Sequence, residues 1–329
     1  MRSGGARRFA RLRPGDRVAV IAPSGPVDPG RLEAGCAVLR DLGLDPIVAK
    51  HALDRDVLGG QSRAPENWHR LAGSDADRAL DLQTAWCDPE IRAVVCARGG
   101  YGATRILDLL DWDAMTEAAA DERGPKLLHG SSDVTALHTA FGERIGITTA
   151  FGPMPATHLV AESPGEDRER SLEALRAVWF GADVPLTIPG AHALSPGQAE
   201  GPLTGGTLSM LTATLGTSYA PPPAAGSIVF LEDVNEAPYR VDRMLTQLLQ
   251  AGWFDGAAGV VLGPWTGCGD PVELDAVVSG RLAPLGLPVL AGIAAGHGPR
   301  QLTLELGALA RLDAGAQILT VHAPGGGVR

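Results

Sequence analysis

Lys126-Leu-Leu-His-Gly-Ser-Ser-Asp-Val-Thr-Ala-Leu-His-Thr-Ala-Phe141 passes from a short apolar run, through a turn of small polar residues, into a helical repeat. The run Lys126–His129 reads as a buried strand, and a helix is expected from near Val134 to Phe141. The same unit recurs on either side. Arg17-Val-Ala-Val-Ile-Ala22 ends in Pro23-Ser-Gly-Pro26; Asp28 and Pro29 then supply an N-cap and a first-turn proline, and Leu32, Cys36 and Leu39 follow at helical spacing. A strand at Pro46–Ala49, a helix near Asp75 to Trp86, a strand at Ala93–Ala97 and a helix near Ala103 to Leu110 continue the pattern, which ends with Ile147–Ala150. Apolar runs alternating with amphipathic helices predict an α/β fold with a parallel, doubly wound sheet, whose active groups gather at the C-terminal strand ends.

Beyond Pro155 the alternation loosens into Ser163-Pro-Gly165, one charged helix and Pro- and Gly-rich segments up to Ala199. This reads as a linker, dividing the chain into residues 14–155, a linker at 156–198 and a second domain at 199–324. The second domain carries Gly205-Gly206, a helix near Leu208 to Leu215, and the strand Ser227–Leu231 running into Glu232-Asp-Val-Asn-Glu236. A helix near Val241 to Ala251 and a strand at Gly259–Leu262 come next, and Leu302–Leu306 alternates like a half-exposed strand.

With 329 residues, 45% of them apolar, the chain can bury a substantial core, which excludes fibrous, disordered and small disulfide-rich classes. Its 28 basic and 38 acidic residues give a net charge of −10, which argues against nucleic acid or an anionic membrane as partner and favours a neutral or zwitterionic small molecule. Cys36, Cys87, Cys96 and Cys268 form no CxxC pair and no cysteine–histidine cluster, so neither a metal site nor a disulfide framework is expected. The Arg-rich first residues lead into no apolar signal segment, and a soluble, cytoplasmic protein with a frayed N-terminal tail is expected. The 43 glycines and 25 prolines fall between apolar runs, where they mark tight turns.

Three turns hold residues suited to chemistry. Gly130-Ser131-Ser132-Asp133 sits between strand and helix like a nucleophile elbow, although Val134 takes the place of the last glycine of G-x-S-x-G; on local sequence Ser132 or Asp133 is equally readable as a helix cap. Arg98-Gly-Gly-Tyr-Gly102 can turn N–H groups toward negative charge, or simply make a tight turn. A weakly nucleophilic serine needs a base and a group to orient it. His297, flanked by glycines in Gly296-His297-Gly298, and Glu232, at the end of the most apolar strand, are the candidates, whereas His129 and His138 read as packing or surface residues. Glu236, Arg240 and Arg243 read as a structural salt-bridge set.

In this order, Arg98-Gly-Gly-Tyr-Gly102, Gly130-Ser-Ser-Asp133, Gly205-Gly206, Leu231-Glu-Asp-Val-Asn-Glu236 and Gly296-His-Gly298, the chain resembles the LD-carboxypeptidase family, which shares its fold with the microcin-immunity hydrolases. The resemblance implies a flavodoxin/Rossmann-like N-terminal domain, a swivelling, β-rich mixed C-terminal domain, and a site in the cleft between them. It further implies Ser132 as nucleophile, Glu232 as the group orienting the histidine, and His297 as general base, with an oxyanion hole from the N–H of Asp133 and one N–H of Gly99 or Gly100. No cofactor or metal is implied, and the partners implied are a small peptide or muropeptide and a second copy in a homodimer. Ser131, Thr207, Phe151, Gln301 and Glu305 depart from the family pattern, and the first three are expected to line the cleft.

The leading expectation is a serine carboxypeptidase that releases terminal D-alanine from muropeptide tetrapeptides by cutting an L,D-peptide bond. The alternatives are a microcin-immunity-like hydrolase of peptidyl or aminoacyl adenylates, and a two-lobed binding protein without turnover.

Overall fold

The computed structural model describes residues 6–58, 69–157, 165–181 and 185–322. The N-terminal part runs β1 (Arg17–Ile21), α1 (Pro29–Asp41), β2 (Asp45–Val48), β3 (Asp56–Val57), β4 (His69–Leu71), α2 (Asp75–Cys87), β5 (Ile91–Cys96), α3 (Ala103–Ile106), α4 (Trp112–Ala118), β6 (Leu127–Gly130), α5 (Thr135–Arg144) and β7 (Thr149–Phe151). The chain continues with α6 (Glu166–Phe180), β8 (Leu186–Pro189), β9 (His192–Ser195), β10 (Gln198–Thr207), α7 (Leu208–Ala213), β11 (Ile228–Val234), α8 (Pro238–Gln250), β12 (Gly259–Thr266), α9 (Pro271–Leu282), β13 (Val289–Ala291), β14 (Leu304–Leu306), β15 (Leu309–Asp313) and β16 (Ile318–Val321). Asp28 caps α1 by accepting from Arg31 N at 2.8 Å, as the Asp-Pro start predicts.

The first sheet has the order β14-β7-β6-β5-β1-β2, parallel except for β14. All six residues of β5 are buried, because helices cover both faces of a parallel sheet. Leu82 and Trp86 of α2 and Leu137 and Phe141 of α5 pack on one face, and Leu32 and Leu39 of α1 with Leu175 and Trp179 of α6 on the other. The strand order reverses direction between β1 and β5, and the loops after β1, β5 and β6 leave the same edge beside that switch point. The second sheet is mixed, β8-β16-β15-β10-β11-β12-β13-β9, with β10 to β13 parallel. Helices α7 to α9 cover one of its faces, and the other packs on Phe151, Leu304 and Leu306 of the first sheet.

Three expectations change. The segment read as a linker is largely structured: α6 packs on the N-terminal sheet, while β8 and β9 are hydrogen-bonded into opposite edges of the second sheet. Ser163 and Pro164 of that reading, and the limit at residue 324, lie outside the described residues. Leu304–Leu306 is fully buried instead of half-exposed, because it closes the N-terminal sheet against β7 and its acidic residue, Glu305, pairs with Arg8 and accepts from Thr148 Oγ1 at 2.9 Å. Residues 6–13 of the basic start are likewise ordered. Phe9 and Leu12 are buried, and Arg7 and Arg11 donate to Ala119 O at 3.2 Å and Val178 O at 2.7 Å, where helix C-terminal carbonyls favour cations. Among the described residues no helix is long and apolar enough to cross a membrane.

Candidate active site

Ser132 stands directly after β6 with φ of 63°, a left-handed conformation that costs a non-glycine residue ~1–3 kcal/mol and persists only where the surroundings impose it. What imposes it is close packing. A Cβ on Gly130 would come within 2.8 Å of Val134 Cγ1 and 3.1 Å of Cys96 Cβ, so only glycine lets the chain turn so tightly. The helix-cap reading of Asp133 fails for the helix that follows, since no side chain caps α5. Its buried carboxylate turns instead to the neighbouring loops, where Oδ2 accepts from Ser24 Oγ at 2.6 Å and from Ala103 N at 2.8 Å. Burial pushes this carboxyl above the usual carboxylate range, against the pull of those hydrogen bonds.

Gly99 closes over the turn. A Cβ on it would sit 2.7 Å from Ser132 Cβ, 3.0 Å from Ser132 Oγ and 3.4 Å from Asp133 N, so Gly99 packs directly against the serine turn. Gly100, with φ of 119°, lies in the same turn. Two arginines tie this loop to the β1 loop. Arg98 donates to Gly99 O at 3.2 Å and Pro26 O at 3.0 Å, and the buried Arg78 donates to Pro23 O and to Gly102 O at 2.9 Å.

The acid and base come from the second sheet. Glu232 is completely buried at an irregularity in the β11–β12 ladder, a device that re-aims a side chain. Its Oε2 accepts from His297 Nδ1 at 2.7 Å and from His297 N at 3.0 Å, and its Oε1 accepts from Thr207 Oγ1. Gly296 has φ of 118°, and a Cβ there would meet Glu232 Oε2 at 2.6 Å, which is why a glycine precedes the histidine. Burial alone would lower the His297 pKa; the hydrogen bond and charge of Glu232, with the charge of Asp233, outweigh it and hold the imidazole above its ordinary value. Burial also raises the Asp233 carboxyl, to about 6.

Thr207 joins the two halves. It lies beside Glu232 in the β10–β11 register, and its N–H donates to Oγ1 of Thr135, three residues after Ser132, at 3.1 Å. Thr207 thus ties the Ser132 turn to the Glu232–His297 pair. No hydrogen bond joins Ser132 Oγ to His297, and among the described residues His297 Nε2 has no hydrogen-bond partner.

The expectation that Ser131, Thr207 and Phe151 line the cleft is overturned, for all three are buried. Ser131 accepts from Gln301 Nε2 at 3.3 Å, Thr207 holds Glu232, and Phe151 stacks edge-on against Phe230 between the two sheets at 5.2 Å. His129 and His138 are packing residues: His138 uses both nitrogens, toward Thr149 Oγ1 at 2.9 Å and Gly130 O at 3.0 Å. Glu236 and Arg240 form an i,i+4 pair at 3.4 Å. Of the described residues, His51, Asp54 and Asp77 bring three ligand-type side chains together, and there each imidazole nitrogen already faces a carboxylate.

The fold has counterparts among known proteins. Residues 18–152 match the model of the LD-carboxypeptidase N-terminal domain, and residues 200–312 that of the LD-carboxypeptidase C-terminal domain. A Streptomyces coelicolor protein, provisionally named carboxypeptidase SCO6489 with no substrate in its name, is 48% identical over 96% of each chain. The murein tetrapeptide carboxypeptidase of Pseudomonas aeruginosa is 33% identical over 90% of this chain and 93% of its own. Among solved structures, a muramoyltetrapeptide carboxypeptidase from Oxalobacter formigenes superposes with a TM-score of 0.77 at 26% identity, covering 93% of this chain and 98% of that one. An MccF-like protein from Bacillus anthracis reaches 0.82 at 23% identity over 96% and 99%, a likeness of fold alone.

Proposed function

This chain belongs to the LD-carboxypeptidase family, and on that premise we propose that it is a serine carboxypeptidase that removes the terminal D-alanine from murein tetrapeptides by cutting an L,D-peptide bond. The observation that carries the reading is a histidine whose Nδ1 is held by a buried carboxylate, tied through Thr207 and Thr135 to the turn of the strained Ser132. Glu232 accepts a hydrogen bond from Nδ1–H, so the neutral ring presents the Nε2 lone pair. In the proposed reaction His297 closes on Ser132 and takes the hydroxyl proton as Oγ attacks the scissile carbonyl. The N–H of Asp133 and one from the Gly99–Gly100 turn receive the developing oxyanion, each such donor being worth about 2.7–4 kcal/mol when removed in a serine protease. His297 then protonates the leaving D-alanine amine, and water, deprotonated by the same imidazole, releases the acyl-enzyme.

The test is direct. Incubation with a murein tetrapeptide should yield free D-alanine and tripeptide by mass spectrometry, and Ser132→Ala should abolish both. Turnover by that variant at the wild-type rate would remove Ser132 from the mechanism.

A further inference from the structure

We infer that Arg98 binds the free α-carboxylate at the end of the peptide substrate and so restricts cleavage to the last bond; this rests on the carboxypeptidase reading above. Arg98 leaves the C-terminal end of β5, at the switch point where the loops around Ser132 converge. Its Nε and one Nη1 proton are engaged by two neutral carbonyls, Gly99 O and Pro26 O. No carboxylate pairs with it among the described residues, whereas Arg8, Arg78, Arg92, Arg105 and Arg123 each hold one. Burial lowers its pKa, and the neighbouring positive charge of Arg31 works in the same direction. A half-buried cation in that setting is under-compensated, and a bound anion would supply the missing charge.

Its hydrogen bonds also leave donors for one. A guanidinium has five N–H donors in a flat fork, so three remain for a ligand, including both on Nη2. Glycines wall the group: a Cβ on Gly100 would lie 3.6 Å from Nη2, and one on Gly25 would lie 3.6 Å from the guanidinium carbon. The scale fits as well. Gly99, the residue next to Arg98, touches Ser132, and the terminal carboxylate carbon of a substrate is only three bonds, at most ~4 Å, from the scissile carbonyl carbon. A peptide cut internally would bring no charge to that point.

The experiment uses the full chain with two substrates, a murein tetrapeptide ending in free D-alanine and the same peptide ending in D-alaninamide. Wild type should favour the free acid ~100-fold in kcat/KM, as expected for a charge-assisted, forked contact. In Arg98→Gln that ratio should collapse to within ~3-fold of unity, and in Arg98→Lys, which keeps the charge but not the fork, to ~10-fold. Loss common to both substrates measures the hold on the Gly99 and Pro26 carbonyls; the ratio measures the carboxylate. An unchanged ratio in Arg98→Gln, or equal cleavage of acid and amide by wild type, overturns the proposal alone. A wild-type enzyme that reacts with a fluorophosphonate at Ser132 yet cleaves neither peptide overturns the carboxypeptidase reading itself, and the proposal with it.

Discussion

His138 is buried and His297 partly buried, and the two are set apart by their partners. His138 spends both ring nitrogens on a threonine hydroxyl and the Gly130 carbonyl, and burial drives its pKa down to about 4. His129, on the strand that leads into Ser132, is driven to about 3 for the same reason. His297 is partly buried, and there the Glu232 carboxylate on Nδ1 reverses the direction and leaves Nε2 unengaged among the described residues. Burial of an imidazole thus makes a structural bracket unless an acid is buried with it, and only the acid-paired ring has a lone pair to offer.

The largest effect that can break this comparison is removal of the paired histidine. His297→Ala should lower kcat/KM by ~10⁴-fold or more, whereas His138→Gln should cost mainly stability, ~1–3 kcal/mol, with less than ~10-fold in rate. Steady-state kinetics beside urea denaturation separate the two; equal losses of rate would erase the distinction. Glu232→Gln should cost ~10³–10⁴-fold and, by a pH–rate profile, move the acid limb. In wild type the base must be neutral, and its pKa is raised, so activity falls as pH drops through a value above the ordinary 6.5. Without the carboxylate, burial is opposed only by the charge of Asp233, and the limb should move down from its wild-type position.

Gly99→Ala drives a methyl group into Ser132 and should cost ~10²-fold in kcat at little cost to fold, a split visible by comparing rates with thermal unfolding. Stability against pH gives the two histidine environments opposite signs. His129 and His138, depressed in the folded state, contribute stability present above pH ~6.5 and lost as pH falls toward 4 and 3. His297, raised by Glu232, contributes stability that is full below ~6.5 and lost as pH rises through its folded value. Urea midpoints of His138→Gln and His297→Ala against wild type should therefore diverge in opposite directions across this range. The smallest effect is expected from Thr207→Val, ~10-fold in kcat, with Thr207→Ser restoring most of it; a serine variant as slow as valine would show that the hydroxyl on Glu232 is immaterial.

Much of this contrast was legible in residue order. Short apolar runs and capped helices, such as Asp28-Pro29, are local features with local causes, and they predicted the parallel sheet. Gly296-His297 was legible as well, although the reason for its glycine, contact with a carboxylate 64 residues earlier in the chain, was not. Thr207 was read as lining the cleft because its partners are Glu232, across a parallel ladder, and Thr135, in the other domain. Strands β8 and β9 hid for a related reason: at sheet edges they are only partly buried, so neither shows the apolar run by which inner strands announce themselves.

By itself, the sequence determined the alternation of strand and helix and the tight glycine turns, since these rest on propensities and spacings within a few residues, while the resemblance to the family singled out Ser132, Glu232 and His297 as candidates. Tertiary structure alone decided that His297 has a fully buried acid beside it, which loop Asp133 caps, and that Arg98 has no carboxylate among the described residues. Those outcomes depend on which groups share a buried volume, and the free energy of a buried charge is set by its neighbours in space, not by its neighbours along the chain.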